Sequence, residues 1–152
     1  GYAIGSGMLV ALACDIVFAD ETAWFSLPEV QFGIIAGMSF AMNDIPKKLV
    51  YYMCLTGEKV RAEQFLQYGA VNVVTKPEEL REKTLCAAEK IAGQPPKTVR
   101  LFKQCTGMWY DNRSVEKFNM ETVFTHEILE TEEKAECIKA FFEKRPAVFG
   151  DE

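Results

Sequence analysis

Two features near the start of the sequence could take part in chemistry: a glycine turn ahead of an apolar run, and a lone glutamate. Gly5 and Gly7 flank Ser6 just before the apolar run 8–13. The backbone can therefore turn tightly and direct free amide hydrogens outward where a helix begins. The helix dipole favours negative charge there, which suits an oxygen that becomes anionic during a reaction. A tight loop whose small residues only permit close packing explains the same spacing, so the motif alone leaves both interpretations open.

The second feature is Glu29, which follows Pro28 and precedes the apolar stretch 30–35. We expect a glutamate in that setting to be partly desolvated and to have a raised pKa, as a general base near neutral pH requires. A Pro-Glu pair is also common in ordinary loops. For the other acidic residues we expect structural roles: Asp15 as a hydrogen-bonding residue, Asp20 and Glu21 solvated in a polar turn, and Asp44 as a helix cap.

The cysteines do not form the signature of a reactive or metal-binding site. They are odd in number, far apart and set among apolar neighbours, which indicates buried free thiols in a reducing compartment. The one histidine, His126, is remote in sequence from all of them, which argues against a Cys-His nucleophile and against a metal site. The cysteines are Cys14, Cys54, Cys86, Cys105 and Cys137.

The composition is that of one ordinary globular domain, with 152 residues, 49% of them apolar and 26% charged. The formal net charge is −5 and no block of Lys or Arg is present, so nucleic acid is not an expected partner. No apolar run approaches the ~20 residues of a membrane span.

The order of apolar runs, turns and breakers predicts a mixed first half and a helical second half. The predicted elements of the first half are a helix over 8–13, strands over 16–19 and 23–26, helices over 39–45, 46–56 and 60–68, and a last strand over 71–74. After Pro77 we expect a helix that ends at Gly93, another after Pro95, a long segment opened by Ser114, and a final helix capped near Thr131. These helices have apolar faces but no sheet of their own, so we expect them to pack on something else in an assembly; a single-chain bundle is the alternative.

Four segments together resemble one enzyme family. They are the opening GYAIGSGMLVALACDIVFAD (1–20), SLPEVQFG (26–33), LTG (55–57) and the tail FFEKR (141–145). This pattern resembles the crotonase superfamily of enoyl-coenzyme A (CoA) hydratases and isomerases, over nearly the whole chain. The resemblance implies an α/β, crotonase-like spiral fold of which this chain is the rear portion. Residues 1–76 would form the spiral core, and residues 77–152 a helical region for oligomerisation and CoA contact.

The resemblance also implies an acyl-CoA thioester as substrate, with no cofactor. The Ser6 amide, between Gly5 and Gly7, corresponds to one oxyanion-hole donor, and Glu29 to a catalytic glutamate. Hydratases of the superfamily have a second glutamate where this chain has Leu9, whereas single-glutamate isomerases have an aliphatic residue there. This favours an enoyl-CoA isomerase that moves a double bond from the 3 to the 2 position. A hydratase or other crotonase reaction is the alternative, and a non-catalytic CoA-binding or assembly subunit is the alternative of another class.

The tail and the start of the chain carry the remaining expectations. Phe141 and Lys144 match family positions that contact the adenine and phosphates of CoA bound to a neighbouring subunit, which implies a homotrimer or a hexamer. A core role for Phe141 and a solvated charge for Lys144 explain the same tail. The family takes its other oxyanion donor from a segment ahead of Gly1, so we expect the sequence to be a fragment. We expect an intracellular, reducing location: cytoplasm, mitochondrial matrix or peroxisome.

Overall fold

The structure of the chain is a computed structural model, which describes residues 1–109, 119, 122–123, 125–126 and 128–149. The side chains of residues 105–109 are not described. The predicted segment opened by Ser114 therefore lies largely outside the described residues, as does the side chain of Cys105. No helix in the described ranges is both long and apolar enough to cross a membrane.

Short strands and helices alternate over the first half of the chain. The strands are β1 (Tyr2–Ile4), β2 (Phe18–Asp20), β3 (Trp24–Ser26), β4 (Val60–Arg61) and β5 (Val73–Thr75). The helices are α1 (Ser6–Leu12), α2 (Met38–Asp44), α3 (Lys47–Thr56) and α4 (Ala62–Gln67), with a 3-10 turn over Glu29–Phe32. The second half is helical, as the sequence predicts. It holds a 3-10 turn over Pro77–Glu79, then α5 (Leu80–Ala92), α6 (Pro96–Trp109) and α7 (Glu132–Glu143).

The described strands form two small sheets, and the parallel pair β1–β3 determines where the site lies. The first sheet has the order β1-β3-β4, and the second pairs β2 with β5 in parallel. In the β1–β3 pair Ile4 lies opposite Ser26. The chain therefore leaves both strands at the same edge of the sheet, where the carboxyl ends of parallel strands meet. The turn after β1 and the turn after β3 are neighbours for this reason.

A single apolar core lies between these strands and the helices of the first half. Phe25 of β3 stacks on Phe65 of α4 with ring centroids 4.3 Å apart. Met8 of α1 and Leu27, which follows β3, are fully buried in the same cluster. Helix α1 and the turn after β3 are thus held in place by packing against the core.

Several details differ from the sequence prediction, and one of them is β1 itself, because no strand was predicted ahead of the glycine turn. Val60 and Arg61 were expected to open a helix, but Val60 pairs with Phe25 in an antiparallel ladder, because its branched side chain is buried against the sheet. Asp44 ends α2 and is not a cap, since Pro46 holds the cap position before α3. Cys14 and Cys86 are exposed rather than buried, whereas Cys54 and Cys137 are buried as expected. All four are free thiols.

Candidate active site

The glycine turn is built around Gly5, whose backbone conformation is open to few other residues. Gly5 has φ 53° and ψ −125°, a combination that a Cβ atom disfavours. Its amide donates to the carbonyl of Ser26 at 2.9 Å, and its carbonyl accepts from the amides of Met8 and Leu9. The turn thus continues the β1–β3 ladder by one bond and then starts α1.

The amides of Ser6 and Gly7 follow this turn at the first positions of α1. Both residues are exposed, and neither amide donates a hydrogen bond to any acceptor in the described ranges. These are the donors that an α-helix leaves unpaired at its start. They can therefore be offered to a bound molecule without breaking an existing bond.

Glu29 is the first residue of the 3-10 turn after β3, and its side chain is half-buried. Burial raises the pKa of its carboxyl group, because desolvation disfavours the charged form, and a hydrogen bond to its own backbone opposes this only partly. This confirms the raised pKa expected from the sequence. The Oε2 atom is buried and has no hydrogen-bond partner among the described residues. A buried acceptor in that state can take up a proton from a bound molecule.

The structure brings the Glu29 carboxylate against the glycine turn. A side chain at Gly5 would place its Cβ 3.5 Å from Glu29 Cδ and nearer still to Oε1. A larger residue would have to displace the carboxylate, which therefore lies directly beside the residue that precedes the Ser6 amide. Two chemically complementary groups, an acceptor with a raised pKa and a pair of free backbone donors, therefore share one edge of the sheet.

Leu9 lies one turn further along α1 and faces the loop that follows Glu29. A Cβ on Gly37 would come within 3.2 Å of Leu9 Cγ and still nearer to Cδ1. Leu9 is half-buried and packs against the core cluster. The position of the second glutamate expected from the resemblance to hydratases is therefore occupied by an apolar side chain in contact with Gly37.

Polar side chains that the sequence did not single out hold the 3-10 turn and the following loop in place. Gln31 Nε2 donates to the carbonyl of Thr56 at 2.8 Å, and Ser26 Oγ donates to the carbonyl of Gly57 at 3.1 Å. Thr125 Oγ1 donates to the carbonyl of Ile35 at 2.6 Å and accepts from the Ile35 amide at 3.3 Å. Ser26 and Gln31 fall inside the segment 26–33 that carried the family resemblance. No sequence signal marked Thr125.

The two tail residues lie at the end of α7. The Phe141 ring meets the Phe32 ring edge to face at 5.1 Å, although Phe141 is 58% exposed. Lys144 is exposed and caps α7 with φ 53°, the one positive φ of a non-glycine residue in the described ranges. The structure thus connects Phe141 to the turn of Glu29 through Phe32 and leaves Lys144 in solvent.

The remaining acidic and metal-ligating residues form no second site in the part of the chain that the structure describes. Asp15 pairs with Lys103 at 2.6 Å on the surface. Asp20 accepts from the backbone and hydroxyl of Thr22, which lowers its pKa, so it orders its turn instead of being merely solvated. No group of three or more His, Cys, Asp or Glu side chains within the described ranges could hold a metal ion.

Comparisons with known proteins show which family the chain is similar to. A family model described as enoyl-CoA hydratase/isomerase matches residues 1–152. The chain is 35% identical over 152 residues to the (E)-benzylidenesuccinyl-CoA hydratase of Thauera aromatica, a match that covers 98% of this chain and 59% of the relative. It is 32% identical over 155 residues to the mitochondrial enoyl-CoA hydratase of Pongo abelii, covering 100% of this chain and 53% of the relative.

A solved structure has the same arrangement of elements. The crystal structure of an enoyl-CoA hydratase/isomerase from Pseudoalteromonas atlantica T6c matches with a TM-score of 0.90 at 28% identity, over 99% of this chain and 62% of that chain. The chain therefore spans 53% to 59% of the length of the two curated relatives described above.

Proposed function

The chain belongs to the enoyl-CoA hydratase/isomerase family and has the α/β crotonase fold, and we propose that the protein is an enoyl-CoA isomerase with Glu29 as its single base. The observation that carries the proposal is the buried, unpartnered Oε2 of Glu29 beside Gly5. The substrate is an acyl-CoA thioester with a 3,4 double bond, and the product has the double bond at the 2,3 position.

The proposed reaction is a proton transfer within one face of the substrate. The thioester carbonyl accepts hydrogen bonds from the Ser6 amide and from a second backbone donor, which acidifies the carbon at position 2. Glu29 takes a proton from that carbon, and the electron pair moves into an enolate whose negative oxygen the amides stabilise. The protonated Glu29 then returns the proton to carbon 4, which restores the thioester carbonyl and leaves the double bond between carbons 2 and 3.

Leu9 is the reason for choosing isomerisation over hydration. Water addition needs a second polar group to hold the nucleophile while the first exchanges protons. The Leu9 side chain can do neither, and it is packed against Gly37. A hydratase is the second candidate, because the curated relatives described above are named hydratases. A non-catalytic CoA-binding subunit is the candidate of another class.

The wider properties of the protein remain proposals that rest on the family. We propose that residues 77–152 form the oligomerisation region of a homotrimer or hexamer and that Phe141 and Lys144 contact CoA there. Exposed apolar side chains on α5 and α6, such as Leu85 and Phe102, support a role in assembly. A reducing intracellular location is supported by the relative from Pongo abelii, which is mitochondrial.

The experiment is a comparison of wild type, Glu29→Gln and Glu63→Gln in the full-length protein. Glu63 is an exposed glutamate of α4 and serves as the matched control. With a 3-enoyl thioester we expect Glu29→Gln to lose double-bond migration by at least 10²-fold, and Glu63→Gln to keep it. The same proteins are tested for hydration of a 2-enoyl thioester. Fast hydration with slow migration would favour the hydratase, and unchanged migration in Glu29→Gln would reject Glu29 as the base.

A further inference from the structure

A buried lysine of the last helix contacts the turn that carries Glu29. Lys134 is only 9% exposed, and its Nζ donates to the carbonyl of Phe32 at 2.7 Å. None of the ion pairs between described residues includes Lys134. Lysine is rarely buried unless it is paired, because taking an ammonium group out of water is costly. A buried lysine whose described polar contact is a single neutral carbonyl therefore needs a specific reason.

The position of that carbonyl supplies the reason. Phe32 is the last residue of the 3-10 turn that Glu29 begins. Carbonyls at the end of a helical turn carry partial negative charge and lack partners within the turn, so a cation is favoured there. The turn is closed from the other side by the bond from the Ile34 amide to the Glu29 carbonyl at 3.1 Å. Lys134 thus holds one end of the same four-residue unit whose other end carries the carboxylate.

Close packing around Gly33 shows that α7 fits tightly against this turn. Gly33 has φ +61°, and a Cβ on it would lie 3.2 Å from Lys134 Cδ and 3.4 Å from Lys134 Cα. At its C-terminal end α7 also contacts Phe32, because the Phe141 ring packs edge to face on the Phe32 ring. Phe32 is therefore held at its carbonyl and at its ring by two points of one helix.

We propose that Lys134 is a positioning residue that fixes Glu29 against the glycine turn. The inference rests on the proposed role of Glu29 as a base, but not on the isomerase reaction itself. Lys134 acts through Phe32: its ammonium fixes the end of the turn, and the turn fixes the direction of the carboxylate. Loss of the ammonium leaves the Phe32 carbonyl without its donor and frees the turn to rotate, which misplaces Oε2 relative to the substrate carbon.

The test uses Lys134→Met in the full-length protein, with Lys139→Met as the matched control. Met retains an apolar side chain of similar length without the charge, so we expect the fold to survive, as thermal unfolding and circular dichroism will check. Lys139 is exposed on the same helix and loses the same charge. We expect kcat for a 3-enoyl thioester to fall about 10- to 100-fold in Lys134→Met, with KM changed less than about 3-fold. Lys139→Met should retain both constants.

Two further measurements separate positioning from general stability. Thr131→Ala removes the cap of α7, in which Thr131 Oγ1 accepts from the Lys134 amide at 3.2 Å, but leaves the ammonium in place. It should lower the melting temperature and leave kcat within about 3-fold of wild type. Lys134→Gln, whose shorter side chain does not reach Phe32, should reproduce the kcat loss if Lys134→Met is insoluble. Equal kcat losses in Thr131→Ala and Lys134→Met, or full activity in a folded Lys134→Met, would overturn the positioning role.

Proton exchange distinguishes this inference from the isomerase proposal. Exchange at carbon 2 of a saturated acyl-CoA in D₂O requires only a base and an enolate-stabilising site. Wild type that exchanges this proton but does not move a double bond disproves isomerisation, and the exchange rate of Lys134→Met then decides the role of Lys134. Wild type that shows neither exchange nor double-bond migration has no functional base, and this result overturns both proposals.

Discussion

Substitution of Gly5 by alanine tests the central contact of the site. Gly5 lies between the end of β1 and the start of α1, with the Glu29 carboxylate directly beside its Cα. A methyl group at Gly5 meets two obstacles: a backbone conformation with φ 53° and ψ −125°, and the Oε1 atom of Glu29. The first obstacle affects stability, and the second affects chemistry.

The sizes of both effects follow from the geometry. Holding alanine in a sparsely populated backbone region costs about 1 to 3 kcal/mol of unfolding free energy. The new Cβ would lie well inside 3.0 Å of Oε1, whereas ordinary contact begins near 3.4 Å. Since the carboxylate ends a flexible side chain, we expect it to move by on the order of 1 Å while the backbone stays in place. A misplacement of about 1 Å can cost on the order of 10²-fold in rate.

Gly69→Ala is the matched control for this experiment. Gly69 has φ +78° and no atom within 4 Å of a Cβ built on it, so alanine there meets backbone strain without a clash. Both variants should lose stability in thermal or urea unfolding, but only Gly5→Ala should lose turnover of a 3-enoyl thioester, measured per folded molecule. Equal activity in the two variants would refute the placement of the Glu29 carboxylate against Gly5.

Two further predictions concern pH. The pKa of Glu29 is raised in the folded protein, so its ionisation opposes folding at pH values above that raised pKa. Glu29→Gln should therefore raise the melting temperature near pH 8, and this gain should disappear as pH falls below about 4.5; a gain that is equal at all pH values would contradict it. Hydrogen bonds from Arg145 and from the Val148 amide lower the pKa of Glu136 to about 2, against an ordinary value of 4.5. Its stabilising contribution is present above pH 4.5 and is lost as pH falls through about 2. The difference in melting temperature between wild type and Glu136→Gln should shrink as pH falls from 4.5 to about 2. A constant difference would argue against the ion pair between Glu136 and Arg145.

The local parts of the site could be predicted from the sequence. Gly5 and Glu29 each stand in short motifs whose neighbours determine a turn and a half-buried position, and the raised pKa of Glu29 follows from the apolar stretch after it. The helix ends at Gly57 and Gly69 could also be predicted, because glycine is common just after the last residue of a helix. Both glycines have a positive φ in the structure. The sequence did not predict β1, so the β1–β3 pairing that brings the two motifs together is known only from the structure.

The supports of the site could not be predicted. Lys134 lies 102 positions from Phe32 and Thr125 lies 90 positions from Ile35, and each is an ordinary residue for a helix surface. The role of Lys134 arises only when α7 packs on the turn, and that of Thr125 only when it meets Ile35; no local pattern encodes either contact. The strand at Val60 failed to be predicted for the same reason, because its pairing with Phe25 overrides the helical spacing around it.

The dependence of the Glu29 turn on Lys134 and Thr125 has a consequence for biosynthesis. The ribosome synthesises the chain from its N-terminus, so Glu29 and the glycine turn are translated before Thr125 and Lys134. Closing the long loops between such remote positions is entropically costly. On the proposed role of Lys134, the turn of Glu29 therefore has its support only after α7 has been translated, and a product that stops ahead of α7 would contain the carboxylate without that support.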